Sequence, residues 1–426
     1  MKKLGFVLLC SFLICGCMLP VLPWKNGEKT ILEKNNLVTE SSIPYEKEKN
    51  GFLLQESAPE PEETENEFSE SVGRENKEFT DDVKADLMRK QQELYYFSNL
   101  EITQQNLYVE ILYALENYID EMKVSTFDTG QIDTVFQYVM MDHPEIFYID
   151  GYSFVKYSRG ENVEKIAFKG NYIYNPQEKE VKEEKIKDIV GEILANISPD
   201  ATDYEKVKYV YETIIRNTEY DINAADNQNI CSVFLNHSSV CQGYAKAVQY
   251  LLNQLKVPTT LVNGTVETGE GHAWNLVKVE NEYYYVDATW GDASYRLQNN
   301  EDSQMIQNTQ AISYDYLCIT TEELTRTHTL SEIVPLPMCN CLDANYYVKE
   351  GAYFKEADYE QLAGLMERYQ AEGRESVTVR CANDMVYQEM WNELLTEQKI
   401  FKYIKGMDNS IMYTDSPKQR SITFWL

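Results

Sequence analysis

At 426 residues the chain is longer than one ordinary domain and points to two or three. Apolar residues at 43% and charged residues at 25% are what a chain with a buried core contains. The formal net charge of -30 leaves no electrostatic footprint for a polyanion, which argues against nucleic acid as a partner.

The chain opens with a positive pair, Lys2 and Lys3, then an apolar stretch from Leu4 to Ile14 and small residues, the pattern of a secretory signal. Ile14-Cys15-Gly16-Cys17 resembles the lipobox of bacterial lipoproteins, with Ile14 where Leu is usual. This resemblance implies a signal over residues 1–17, lipidation at Cys17, and a location on the outer face of the cytoplasmic membrane. The alternative is an uncleaved anchor from Leu4 to Trp24, which Pro20 and Pro23 weaken. Residues 18–85 read as an acidic tether. From Glu56 to Asp82 there are eleven acidic and two basic residues, too few apolar groups to offset the ordering entropy. About 65 residues of flexible coil reach roughly 45 Å.

Residues 86–200 read as a helical and α+β region. Leu107, Ile111, Leu115, Ile119 and Met122 recur at helical spacing, with Thr103 as the expected N-cap. A second helix from Gln131 must stop near His143, because Pro144 follows. Ile146–Ile149, Tyr152–Tyr157 and Val163–Tyr174 read as strands, and Lys179–Ile197 and Asp203–Asn217 as helices.

Chemistry concentrates between Ser239 and Asp292. Val240-Cys241-Gln242-Gly243-Tyr244-Ala245 opens a helix that Val257-Pro258 ends, so Cys241 sits at a helix N-terminus, where free N–H groups favour a thiolate. Gly243 allows a close approach beside the thiol. A hairpin follows, His272–Val279 and Tyr283–Trp290, and any turn of even length puts His272 and Asp287 on one face. A Cys on a helix end, a His on a strand and a carboxylate on its neighbour can together activate a thiol. Each alone would be unremarkable: a buried small residue, a satisfied core histidine, a turn former. Of four histidines, His143 is read as closing a helix, His237 as structural and His328 as a loop residue.

Beyond about Asn340 the pattern changes to a small α+β unit over residues 340–426. Tyr346–Val348 reads as a strand, Asp358–Gln370 as a helix, Ser376–Arg380 as a strand and Tyr387–Gln398 as a helix, followed by strands near Ile411–Tyr413 and Ile422–Trp425. Six cysteines remain outside the signal region: Cys231, Cys241, Cys318, Cys339, Cys341 and Cys381. Their spacing is sparse for a disulfide framework, and the lone Cys339-x-Cys341 is a weak metal motif, so no metal is expected.

Three segments resemble the motifs of the transglutaminase-like superfamily: Val240 to Ala245, His272-Ala273-Trp274-Asn275, and Val286-Asp287-Ala288-Thr289-Trp290. Asn217 to Asp221, Tyr316 to Ile319 and Thr327-His328 resemble its flanking segments, and Ala288 stands where the family often has Pro. The resemblance covers roughly Asp203 to His328, within a domain placed at 201–335. It implies an α+β fold with a papain-like core, the cysteine helix packed on an antiparallel sheet. It also implies Cys241 as nucleophile, His272 as base and acid, and Asp287 as orienter. Tyr220, Gln242 and Trp274 are candidates for lining the site or helping an oxyanion, and no cofactor is expected. The expected reaction is amide chemistry through a thioester on an extracellular protein or cell-wall peptide, with hydrolysis favoured over transfer to an amine. A non-catalytic role as a surface binding or scaffold protein is the competing class, although this chain retains all three residues in their motifs.

Overall fold

The computed structural model describes residues 43–44, 79–159, 162–292, 312–331, 334–404 and 411–426. The expected signal segment with Cys17, and nearly all of the expected tether, lie outside them. Among the described residues no helix is long and apolar enough to cross a membrane. The architecture is mixed: helices packed on sheets, the central one antiparallel and curled.

Helix α1 (Asp81–Lys90) starts inside the acidic run. Thr80 caps it, and Asp81 and Asp82 occupy its first turn, where the helix dipole favours negative charge. The end of the acidic stretch is therefore a helix start. After a single turn, α2 (Tyr95–Ser98), comes α3 (Ile102–Glu116), capped by Glu101 and Gln104 in a capping box rather than by Thr103. Met122, expected on that helix, belongs instead to a strand. The chain reverses at Tyr118, whose φ is 53°, and Met122–Lys123 pairs as an edge strand. Helix α4 (Thr129–Asp142) ends at His143, as Pro144 requires.

The first sheet is built on a long hairpin. Its strands are β1 (Ile43–Pro44), β2 (Met122–Lys123), β3 (Ile149–Arg159) and β4 (Asn162–Tyr172), in the order β1-β3-β4-β2. Ile146 to Tyr148, expected as strand, form a buried turn ahead of β3, with the Ile146 N–H donating to the His143 carbonyl. Helices α5 (Pro176–Ala195) and α6 (Asp203–Asn217) follow, each opened by a capping box. Helix α6 buries Val207, Val210, Tyr211, Ile214 and Ile215.

A two-stranded parallel pair, β5 (Glu219–Tyr220) and β6 (Ser238–Ser239), brackets the short helix α7 (Ile230–Phe234) and leads into α8 (Cys241–Gln254). Helix α8 packs on a five-stranded antiparallel sheet of β7 (Thr259–Val266), β8 (Gly271–Val279), β9 (Glu282–Val286), β10 (Leu317–Ile319) and β11 (His328–Leu330). The spatial order is β10-β9-β8-β7-β11.

The last sheet, with β12 (Tyr353–Phe354), β13 (Ser376–Cys381), β14 (Met412–Ser416) and β15 (Ser421–Trp425), has the order β12-β13-β15-β14. Tyr346–Lys349 is a helical turn capped by Asn345, not the strand its apolar run suggested. The helix expected over Tyr387–Gln398 begins earlier, at Asp384, where Asn383 caps it, and becomes a π-turn after Trp391.

One buried cluster runs from Tyr96 to Phe424 and so includes the C-terminal sheet. A second fills the opposite face of the central sheet with Val262, Trp274, Leu276, Tyr285, Trp290 and Tyr316 among its members. Strand β8 divides between them by its alternation: Ala273, Val277 and Val279 join the first, Trp274 and Leu276 the second. All six cysteines expected beyond the signal are free thiols.

Candidate active site

Cys241 is the first residue of α8 and is partly exposed. Its N-cap, Val240, has no polar side chain and makes no cap hydrogen bond, so no N-cap side chain occupies the first-turn N–H groups. Gly243 is needed there for close packing. A Cβ on it would lie 2.0 Å from Ser239 Oγ and 2.7 Å from Ser232 Oγ, two hydroxyls 2.6 Å apart beneath the first turn. The close approach is thus of the chain's own loop. Gln242 is buried in the same turn, with 5% exposure.

Strand β8 carries His272 as its second residue. The hairpin closes on the pair Val279 and Glu282 around a two-residue turn, Glu280-Asn281. That even count keeps His272 and Asp287 on one face, offset along the strands rather than directly opposed. Strand β9 stops at Val286, short of the expected Trp290. Asp287 leaves the strand to cap the helical turn α9 (Ala288–Gly291), its Oδ1 accepting the Trp290 N–H at 3.1 Å. Capping fixes the carboxylate, and Oδ2 lies 2.7 Å from His272 Nε2. The Nδ1 atom is left for the thiol, and His272 and the Cys241 side chain are hydrogen-bonded.

Burial opposes protonation of His272, but the Asp287 carboxylate and Cys241 outweigh it and raise its pKa to about 10. Burial would likewise raise the pKa of Asp287, which is 1% exposed; His272 and His328 instead hold it well below the usual carboxylate range. Asn275, fully buried, donates from Nδ2 to the Ala245 carbonyl at 2.9 Å and so joins β8 to α8. The three expected residues are therefore brought together by one helix end, one strand and one capping turn. Chemically the arrangement can move a thiol proton onto an imidazole whose cation is matched by a buried carboxylate.

The sequence reading missed His328. It is a strand residue, on β11, with its Nε2 at 3.1 Å from the same Asp287 Oδ2 and its side chain at 0% exposure. Three aromatic rings enclose it, with centroids 5.0 Å away for Trp274, 4.7 Å for Trp290 and 5.5 Å for Tyr316. Gly264, between the two histidine strands, makes this packing possible. A Cβ there would meet the Trp274 ring at 2.5 Å and the Thr329 carbonyl at 2.1 Å. Trp274 itself is fully buried and stacks 5.8 Å from the His272 ring, so it backs the imidazole and presents no surface to solvent. Tyr220 pairs across β5 and β6 with Ser239, two residues before Cys241, and its ring faces Tyr244 at 6.3 Å. His143 is the buried C-cap of α4 and His237 is an exposed loop residue, both apart from this cluster. Among the described residues, His272, Asp287 and His328 form the donor group able to hold a metal ion. Both Nε2 atoms already meet one carboxylate oxygen at hydrogen-bonding distance.

Residues 189–288 match the family model described as the Transglutaminase-like superfamily, a span that includes Cys241, His272 and Asp287 and stops before His328. Mouse (Mus musculus) kyphoscoliosis peptidase is 26% identical over 123 residues, covering 25% of this chain and 19% of the mouse protein. The human (Homo sapiens) protein of the same name is 28% identical over 119 residues, covering 24% and 18%. The match thus spans under a fifth of these curated relatives. Among solved structures, a TGase crystal structure aligns with a TM-score of 0.25 at 14% identity, over 48% of this chain and 57% of that one. The periplasmic domain of TgpA from Pseudomonas aeruginosa aligns with a TM-score of 0.21 at 16% identity, over 32% and 59%.

Proposed function

We propose that the transglutaminase-like core at residues 189–288 is the centre of a thiol enzyme that cleaves amide bonds of proteins or peptides. The observation that carries this reading is the hydrogen-bonded series of Cys241, His272 and Asp287, with Asp287 Oδ2 at 2.7 Å from His272 Nε2. In this reading Cys241 Sγ, its proton already held on His272 Nδ1, attacks the amide carbonyl carbon. The first-turn N–H groups of α8, beginning with that of Cys241, face the developing oxyanion. The C–N bond then breaks, His272 returns the proton to the leaving amine, and the acyl group remains on sulfur as a thioester. Water, deprotonated by His272, releases the carboxylic acid and restores the thiol. Asp287 holds the imidazole and balances its charge throughout.

The kyphoscoliosis proteins bear the name peptidase, which favours water over an amine as the acceptor. The signal pattern and the lipobox-like Cys17 support a lipid-anchored location outside the cytoplasmic membrane, and with it extracellular protein or cell-wall peptide as the substrate we propose.

Thiol labelling of the whole chain tests the reading. At pH 6 iodoacetamide should modify Cys241 far faster than Cys341, which is also partly exposed, and His272→Ala should remove the difference. Equal rates for the two thiols in the unmodified chain would overturn it. Mass analysis of the acyl-enzyme, with and without an added primary amine, then separates hydrolysis from transamidation.

A further inference from the structure

We infer that His328 is a positioning residue of the Asp287 carboxylate, and that a one-way chain of hydrogen bonds from Gln419, in the turn between β14 and β15, sets its tautomer. The role rests on the triad reading above.

Both histidines converge on one oxygen: His272 Nε2 at 2.7 Å and His328 Nε2 at 3.1 Å from Asp287 Oδ2. An ionised carboxylate only accepts, so both nitrogens must donate. For His328 this fixes Nε2–H. Its side chain has no exposure, its ring lies 5.4 Å from that of His272, and burial keeps its pKa below the usual 6.5, so above that pH the ring is neutral. A neutral ring with Nε2–H must accept at Nδ1, and there Thr327 Oγ1 lies at 2.8 Å.

The remaining donors follow in order. The Thr327 hydroxyl gives its proton to Nδ1; its 3.4 Å approach to the Leu324 carbonyl is the weaker one. Thr327 Oγ1 then takes the Tyr316 O–H at 3.1 Å, and the Tyr316 oxygen accepts Gln419 Nε2–H at 3.1 Å. Gln419 cannot turn its amide round. Its Oε1 accepts from the Arg380 guanidinium at 2.9 Å, and its Nε2 also donates to the Glu323 carbonyl at 3.2 Å. Arg380 has no hydrogen-bond acceptor to offer a reversed amide, and is itself locked by Asp315 and Glu323 at 3.1 and 2.9 Å. Every link points the same way: Arg380 to Gln419, Tyr316, Thr327, His328 and finally Asp287. Gln419, Arg380 and His328 are buried. The series therefore runs through a low-dielectric interior, where an orphaned donor or acceptor is costly.

Histidine-selective 15N NMR on the whole chain, which has four histidines, tests the tautomer. His328 should be protonated at Nε2 and bare at Nδ1. Gln419→Glu removes the N–H that Tyr316 accepts, so Tyr316 turns its own proton to the new carboxylate and the population of that single tautomer should fall. Labelling of Cys241 at pH 6 tests the positioning. His328→Phe should slow it about tenfold or more, the usual scale for losing a hydrogen bond to a buried charge. His328→Gln, whose amide can donate to Asp287 and accept from Thr327, should recover most of the rate. Three results would overturn the inference: a His328 protonated at Nδ1, a His328→Phe chain that labels as fast as an activated wild type, or a natively folded His328→Gln chain as slow as the Phe variant. A wild-type Cys241 no faster than Cys341 instead sinks the triad reading, and the positioning role with it; the NMR readout stands apart from that failure.

Discussion

Asn275 reaches from strand β8 to the Ala245 carbonyl of helix α8 at 2.9 Å, one turn beyond Cys241 and three residues beyond His272. The bond ties together the two elements that carry the thiol and its imidazole. Asn275→Leu should cost about 0.5–1.5 kcal/mol of stability, because a buried hydrogen bond between strand and helix is lost while the Ala245 carbonyl keeps its place in the helix ladder. Labelling of Cys241 should slow along with it. Urea unfolding and iodoacetamide kinetics on the same sample check both; normal stability with normal labelling refutes the tie.

The charged pair sets a pH window. His272 has its pKa raised from 6.5 to about 10, so its contribution to stability is complete below 6.5 and lost as pH rises toward 10. Asp287 has its pKa depressed below 3.8, so its contribution is present above 3.8 and lost as pH falls through the lower, folded value. Between 3.8 and 6.5 both are complete. The stability difference between the wild type and His272→Gln should be greatest there and shrink steadily toward pH 10. A difference independent of pH from 5 to 10 would count against the pair.

Gly264→Ala should be severe for so small a change. The new methyl would lie 2.1 Å from the Thr329 carbonyl oxygen and 2.5 Å from the Trp274 ring, and neither backbone nor a buried indole yields cheaply. About 1–3 kcal/mol is the expected loss, with β11 pushed off β7 and His328 drawn away from Asp287. Thermal melting and the His328 NMR signal report the two effects; an unchanged melting temperature refutes the clash.

Arg380→Met should destabilise the chain by about 3–5 kcal/mol, since Asp315 and Glu323 would be left buried and uncompensated. Adding Asp315→Asn to that variant should recover part of the loss, a result a simple packing defect would not give. Denaturant melts of the single and double variants measure the coupling.

The site was legible in the sequence where chemistry and spacing coincide. Cys241 before a helical run, and His272 and Asp287 flanking a short turn, are local signals, and the hairpin's even turn preserved their common face. His328 had no local signal. It lies 41 residues beyond Asp287, and only the placement of β11 beside β7 brings it in. Its one hint was Thr327-His328 among the segments resembling the family's motifs. Errors in the fold fell on short apolar runs. Met122 and Tyr346–Val348 suit helix or strand equally by periodicity, and tertiary partners decided them. Thr80 with Asp81 and Asp82 shows the converse: charge that reads as solvated coil also serves a helix start.

The buried place of Gln419, in the turn between β14 and β15, has a consequence for biosynthesis. A ribosome releases Cys241, His272 and Asp287 well before residue 419. The nascent chain therefore holds Cys241 and His272 while Tyr316 still lacks the Gln419 amide that donates to it. On the positioning proposed for His328, full ordering of the Asp287 carboxylate waits on the final hairpin.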